Sequence, residues 1–214
     1  MQKDYTIVVL ISGRGSNLGS LIKNRKDYRI AAVISDQPDA AGLNLAMGAA
    51  VYSTAFGRSS FTTLKEQKEA IYTAIRDLNP SLIALAGFMQ IVAPSFVAEF
   101  AGRIVNIHPS LLPDLPGLET HERAILEKRT VHGCTVHLVD AGIDTGQILA
   151  QAKVVVDPKD TAETLAAKVL QREHVIYPWV INGLARGDIA IKDGKVTMPD
   201  SLREQGKELG FLIP

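Results

Sequence analysis

Short apolar segments alternate with helix-forming segments through the first half of the chain, and this alternation strongly limits the possible fold. The predicted strands are rich in β-branched residues, and they are Thr6–Ile11, Ile30–Ser35, Leu82–Ala86 and Arg103–His108. The predicted helices between them are Ser16 to about Lys23, Asp39–Ala49, Phe61–Leu78 and Pro94–Phe100. Apolar strands joined through helices form parallel sheets that are covered on both faces. We therefore predict an α/β protein with a Rossmann-like, mostly parallel sheet flanked by helices.

The pattern changes in the second half, where two longer segments, Val131–Val139 and Gln147–Val156, are predicted to pair around a loop. A long helix, or two shorter ones, is predicted over Thr161–Arg186, with Pro178 as a kink or a new start. The sequence thus predicts a C-terminal antiparallel extension and a long helix.

Two further predictions concern the C-terminal part of the chain. Asp193-Gly194 lies between two short apolar segments, which is typical of a β-hairpin. The residues after Pro199 show no strong pattern, and we expect them to be weakly ordered. A length of 214 residues without linkers or repeats predicts one domain, residues 1–214, with halves at about residues 1–100 and 101–200.

Composition narrows the class of partner and compartment. The 23 basic residues balance the 23 acidic ones and are dispersed, so no basic face for nucleic acid is indicated. The single cysteine, Cys134, cannot form an intrachain disulfide, which suits a reducing compartment. No apolar run approaches the ~20 residues of a membrane span, and Asp4 interrupts any signal-like core. We expect a cytoplasmic enzyme without membrane or nucleic-acid partners.

A polar cluster follows the predicted strand that ends at His108. Side chains alternate along a strand, so Asn106 and His108 should point to the same side, roughly 7 Å apart. An amide, an imidazole and the downstream carboxylate of Asp144 are groups that stabilise an oxyanion and move protons. A carboxylate beside an imidazole favours its protonated form. Two alternatives stay open: a hydrogen-bonded core histidine at position 108, and a turn-capping role for Asp144.

A glycine-rich turn, Ser12–Asn17, joins the first strand to the first helix. Backbone N–H groups at such a helix end favour a phosphate, although a tight turn without a ligand has the same composition. Leu18 stands where a dinucleotide fingerprint has its third glycine. His132 and His137 are five residues apart on a predicted strand and face opposite ways, so no metal site is expected.

Asn106–Pro113 followed by Asp140–Gly146 resembles the folate-dependent formyltransferases, and the similarity runs from Ile7 to about Gly187. It is closest to members that formylate the amine of glycinamide ribonucleotide in purine biosynthesis. The resemblance implies the formyltransferase fold, 10-formyltetrahydrofolate as formyl donor and no metal. It also implies a cis peptide bond at Leu112-Pro113. The chain is expected to be a monomer or a homodimer.

The resemblance also implies roles for single residues. The catalytic residues would be Asn106, His108 and Asp144, and the substrate would be bound by Gly15, Ser16, Asn17 and Glu173. The folate would be bound by Met89, Gln90, Ile91, Val92, Asn106, Asp140, Ala141 and Gly142. Family members often carry an arginine where this chain has Gln90, and another near Leu64.

Three other functions remain alternatives. Methionyl-tRNA formyltransferases share the Asn–His–Asp pattern but add a C-terminal RNA-binding domain, for which this chain is expected to be too short. Formyltetrahydrofolate deformylases transfer the formyl group to water and usually have an N-terminal regulatory domain. A nucleotide-binding module without catalysis is the alternative from another class.

Overall fold

The computed structural model describes residues 4–192 and 195–214. The chain folds into two units, Met1–Val105 and Asn106–Pro214. The first unit contains a sheet in which β4, β1, β2 and β3 are neighbours in that order and pair in parallel. Its strands are β1 (Thr6–Ile11), β2 (Arg29–Ser35), β3 (Ser53–Ala55), β4 (Leu82–Leu85) and the start of β5 (Ile104–His108). Because β1 pairs in parallel with both β2 and β4, the predicted α/β class is confirmed.

The helices of the first unit are α1 (Ser16–Lys23), α2 (Ala41–Gly48), α3 (Leu64–Leu78) and α4 (Pro94–Glu99), and a 3₁₀ turn lies at Arg58–Ser60. α3 begins three residues later than the predicted start at Phe61 because Thr63 and Glu66 form a capping box, in which each side chain accepts from the other's backbone N–H. α4 begins at Pro94, whose fixed φ suits the first position of a helix.

The second unit contains the end of β5, then β6 (Val131–Leu138) and β7 (Ile148–Val155), which pair antiparallel. Its helices are α5 (Thr120–Leu126), α6 (Ala162–Arg186) and α7 (Asp200–Glu208). α6 is one continuous helix with Pro178 inside it. The predicted antiparallel extension and long helix are therefore confirmed, and the Leu112-Pro113 peptide bond is cis, as expected.

The prediction of a weakly ordered tail is wrong. After Pro199 the chain forms α7 and then β10 (Phe211–Leu212), which pairs antiparallel with β7. Phe211 is buried, and its ring lies 5.3 Å from that of Trp179 and 5.5 Å from the Arg172 guanidinium. Because Trp179 and Arg172 are distant from Phe211 in sequence, no local pattern after Pro199 predicts this packing.

The hairpin prediction is confirmed for its two strands. These are β8 (Ala190–Lys192) and β9 (Lys195–Thr197), which pair antiparallel. The turn itself, Asp193-Gly194, lies outside the described residues. Within the part of the chain that is described, no helix has the length and apolar character needed to cross a bilayer.

Candidate active site

The turn after β1 places Gly15, Ser16 and Asn17 at the N-terminal end of α1. Gly15 has φ 75°, the left-handed region that glycine adopts without strain. A Cβ on Gly15 would lie 2.6 Å from the Cα of Gly42, and the Gly42 N–H donates to the Gly13 carbonyl at 3.0 Å. The turn is therefore closely packed against the start of α2. The phosphate site expected at this turn stays a prediction, based on the tendency of helix N-terminal N–H groups to bind anions.

The segment after β4 lies beside this turn, because the Met89 N–H donates to the Ser12 hydroxyl at 2.9 Å. Met89 and Ile91 are largely exposed, at 68% and 69%. Lys68 donates from its Nζ to the Ile91 carbonyl at 2.8 Å. The segment thus offers two apolar side chains to a ligand, with an ammonium group next to its backbone.

Gln90 is directed away from that surface. Its Nε2 donates to the Asp36 Oδ2 at 2.9 Å and to the Gln67 Oε1 at 3.2 Å. Gln67 in turn donates to the Asp36 and Phe56 carbonyls, and both Asp36 and Gln67 are buried. This network therefore holds the side-chain amide of Gln90 in place.

His108 and Asp144 are in direct contact. The His108 Nδ1 lies 3.3 Å from the Asp144 Oδ2, which also accepts from the Gly117 N–H at 2.9 Å. The other ring nitrogen of His108, Nε2, lies 3.0 Å from the Leu115 carbonyl. Each ring nitrogen of His108 therefore lies near an oxygen that can accept a hydrogen bond. The spatial link between positions 108 and 144 that the sequence predicts is therefore present.

Asn106 contacts the same group of side chains through His137, which the sequence does not predict as a site residue. Its Nδ2 lies 3.2 Å from the Nε2 of His137, which is 3.6 Å from the Asp144 Oδ1. The sequence carries no local signal for this contact, because it depends on β6 lying beside β5 in the sheet. Asn106, His137, Asp144 and His108 thus form one connected polar group.

The loop between β6 and β7 presents Asp140, Ala141 and Gly142 at the surface. Asp140 shapes this loop, since its Oδ1 accepts from the Gly142 N–H at 3.0 Å and from the Thr145 hydroxyl at 2.7 Å. Asp144 has φ 54°, a backbone conformation that is strained for a residue with a side chain. The turn around Asp140 therefore fixes the backbone from which Asp144 reaches His108.

Glu173 lies on α6 and is buried, with 6% of its surface exposed. Charged segments of a helix usually face solvent, but Glu173 does not. Burial of the Cys134 thiol, and to a smaller extent the negative charge of Glu173, raise the pKa of that thiol. Cys134 is therefore a packed neutral thiol rather than a nucleophile. Among the described residues, no group of three or more His, Cys, Asp or Glu side chains is arranged to hold a metal ion.

A second histidine contact lies in the same unit. The Nε2 of the buried His132 is 3.2 Å from the Nδ1 of His121. Burial, with the neighbouring His121 and His108, lowers the pKa of His132 to about 4, and burial also lowers the pKa of His121. Both rings are therefore neutral in the folded protein at neutral pH.

We expect this pair to make stability depend on pH. The unfolded chain binds a proton at each histidine near pH 6.5, whereas the folded chain binds one at His132 only near pH 4. Stability is therefore full above pH 6.5 and decreases as the pH falls from 6.5 to 4. Denaturant unfolding at several pH values measures this. The variant His132→Asn should show a flatter dependence over that window, and an unchanged slope would contradict the assignment.

The sequence of the chain is similar to known formyltransferases. The family profile described as formyl transferase matches residues 5–181. The phosphoribosylglycinamide formyltransferases of Haemophilus influenzae and Escherichia coli are 42% and 40% identical, each over 87% of this chain and 90% of the relative. The crystal structure of glycinamide ribonucleotide transformylase 1 from Symbiobacterium toebii superposes with a TM-score of 0.86 at 39% identity, covering 91% of this chain and 94% of that one. The chain therefore belongs to the formyl transferase family.

Proposed function

We propose that this chain transfers the formyl group of 10-formyltetrahydrofolate to the amine of glycinamide ribonucleotide, in de novo purine biosynthesis. The products are formylglycinamide ribonucleotide and tetrahydrofolate. The observation that carries the proposal is the contact between His108 and Asp144, with Asn106 beside them, in a chain that is 42% identical to an enzyme named for this reaction. The reaction takes place in the cytoplasm and needs no metal, and residues 1–214 act as a single formyltransferase domain.

The chemistry follows from the groups at the site. The neutral amine attacks the formyl carbon, and the carbonyl oxygen becomes an oxyanion that accepts N–H groups from Asn106 and His108. Asp144 keeps His108 protonated and orders a water molecule that carries the proton lost by the amine. The bond from the formyl carbon to N10 of the folate then breaks, and N10 takes up a proton.

His108 has to change one hydrogen bond during this reaction. Its Nδ1 stays with Asp144, so Nε2 is the nitrogen that meets the formyl oxygen. In the structure Nε2 lies 3.0 Å from the Leu115 carbonyl. Formyl binding therefore exchanges that hydrogen bond for one to the substrate. Both arrangements satisfy the buried ring, so the exchange leaves no imidazole N–H without an acceptor.

The donor and acceptor bind through separate groups in this proposal. Gly15, Ser16 and Asn17 hold the phosphate of the ribonucleotide, and the Glu173 carboxylate holds its ribose hydroxyls. The folate lies against Met89, Ile91 and Val92, the backbone of Gln90, Asn106, and the loop of Asp140, Ala141 and Gly142. The exposure of Met89 and Ile91 and of the Asp140 loop supports this assignment.

The test is direct. Purified protein is mixed with 10-formyltetrahydrofolate and glycinamide ribonucleotide, and formylated ribonucleotide is measured together with free formate. Formylated product that requires the amine acceptor supports the proposal. Formate release without the amine would indicate a deformylase, and formylation of methionyl-tRNA would indicate that alternative. Nucleotide binding without turnover would indicate a binding module. Light scattering of the same sample distinguishes a monomer from a homodimer.

We expect the variant Ser16→Ala to raise KM for glycinamide ribonucleotide about tenfold with little change in kcat. A hydrogen bond to a charged group contributes ~1.5–3 kcal/mol, and the phosphate takes no part in the chemical step. The exposed Ser59, on the 3₁₀ turn, provides the matched control Ser59→Ala. Steady-state kinetics with the ribonucleotide varied measures both constants. An unchanged KM in Ser16→Ala would place the phosphate elsewhere.

A further inference from the structure

His137 has no part in the mechanism described above, yet it is 1% exposed and lies within the catalytic group. Its Nδ1 lies 2.8 Å from the Leu138 carbonyl. A carbonyl oxygen only accepts, so Nδ1 carries the hydrogen of this bond. Desolvation by burial is the largest influence on His137 and lowers its pKa. The ring is therefore neutral at neutral pH, and its Nε2 carries a lone pair and no hydrogen.

That lone pair faces the amide of Asn106. The distance from Nε2 to the Asn106 Nδ2 is 3.2 Å, so an amide N–H donates to the ring. The torsion that rotates an asparagine amide is soft and roughly two-fold, and it allows the oxygen and nitrogen to exchange places. A bare Nε2 accepts only from the nitrogen. The contact therefore selects one of the two amide orientations and fixes the direction of the second N–H.

We propose that His137 is a positioning residue for formyl transfer: its unprotonated Nε2 holds one Asn106 N–H so that the other N–H points at the developing oxyanion. The inference rests on the proposed function. Without the ring, the amide can rotate and turn its oxygen towards the oxyanion, which repels it. His137 touches neither substrate in this arrangement and acts only through Asn106.

The contact with Asp144 fits the same arrangement. The His137 Nε2 lies 3.6 Å from the Asp144 Oδ1, which is beyond hydrogen-bond distance. Two atoms with lone pairs and no hydrogen between them stay apart in this way. The other oxygen of this carboxylate, Oδ2, lies 3.3 Å from the His108 Nδ1. His137 therefore does not compete with His108 for a hydrogen bond to Asp144.

Two substitutions separate the roles of the ring nitrogens. In His137→Gln the side-chain oxygen takes the place of Nε2 and still accepts from Asn106. In His137→Asn the side-chain nitrogen takes the place of Nδ1 and still donates to Leu138, but nothing replaces Nε2. We expect His137→Asn to lower kcat by about 10- to 100-fold, as misplaced catalytic groups do, with KM for both substrates nearly unchanged. His137→Gln should retain most of the wild-type kcat.

A double-mutant cycle tests whether His137 acts through Asn106. In an Asn106→Ala background, His137→Asn should cause no further loss of kcat. Equal kcat for His137→Gln and His137→Asn, or full multiplicative losses in the cycle, would overturn the inference while the wild type remains an active formyltransferase. A wild type that transfers no formyl group would overturn the proposed function and this role with it.

A measurement on the wild type keeps the inference testable even if the variants fold poorly. Long-range ¹H–¹⁵N spectra report which imidazole nitrogen carries hydrogen. We expect a protonated Nδ1 and an unprotonated Nε2 for His137 at neutral pH. A protonated Nε2 would overturn the inference, because the ring would then hold the amide oxygen of Asn106.

Discussion

Replacement of His108 by alanine is expected to lower kcat for formyl transfer by about 100- to 1000-fold, the range typical of a lost oxyanion donor. The imidazole is the group that can donate a hydrogen to the formyl oxygen while its other nitrogen contacts the Asp144 carboxylate at 3.3 Å. Alanine removes both interactions. Single-turnover measurements with saturating substrates isolate this step from binding.

Asp144→Asn should cause a loss of similar size by a different route. The new side chain can still accept the Gly117 N–H that Asp144 accepts at 2.9 Å, so the loop is retained. It carries no charge, however, and no longer favours the protonated ring of His108. The exposed loop residue Asp157 provides the control Asp157→Asn, which should leave kcat unchanged.

His108 and Asp144 should contribute to catalysis jointly. Because each substitution disables the same protonated imidazole, the double variant should lose far less than the product of the single losses. Thermal unfolding checks that all three variants remain folded. Fully multiplicative losses would show that His108 and Asp144 work independently and would contradict the proposed pairing of the two side chains.

Asn106→Ala is expected to lower kcat by about 100- to 1000-fold, with KM for glycinamide ribonucleotide little changed. Loss of one donor from an oxyanion site typically has this effect, because the interaction strengthens as charge develops in the transition state. Asn106→Asp should be at least as damaging, since a carboxylate repels the oxyanion.

The exposed Asn44 on α2 offers the matched control Asn44→Ala, which should be neutral. A transition-state analogue with a tetrahedral carbon should lose affinity for Asn106→Ala in proportion to the loss of kcat. A rise in KM with an unchanged kcat would instead assign Asn106 to substrate binding alone.

Local sequence patterns predicted the parts of the fold that depend on local physics. β1 is apolar after Thr6 and its predicted bounds are the observed ones, and the bounds of α1 are predicted equally well from its glycine-rich start. α5 was missed because it is short and is held by a distant contact, the hydrogen bond from the Thr120 hydroxyl to the Pro109 carbonyl at 2.7 Å. The tail after Pro199 was missed for the same reason.

The candidate site also contains residues that the sequence predicts and residues that it does not. Asn106 and His108 follow directly from strand alternation, and the resemblance to formyltransferases pointed to Asp144. His137 and the buried network of Asp36, Gln67 and Gln90 were not predicted. Both depend on which elements lie side by side, as in the contact from Gln90 to Asp36, 54 positions apart in the chain. Sequence spacing carries no information about such neighbours.

The short strand β10 has a consequence for the solution behaviour of the protein. The central residues of β7, Gln151 and Ala152, pair on one side with β6 and on the other with Leu212 and Phe211. Without β10, the N–H and C=O groups of β7 would form a long open edge, which is a template for strand addition and aggregation. Two residues are too few to offer such a template themselves. Deletion of Phe211–Leu212 should therefore cause concentration-dependent aggregation before it affects the catalytic residues.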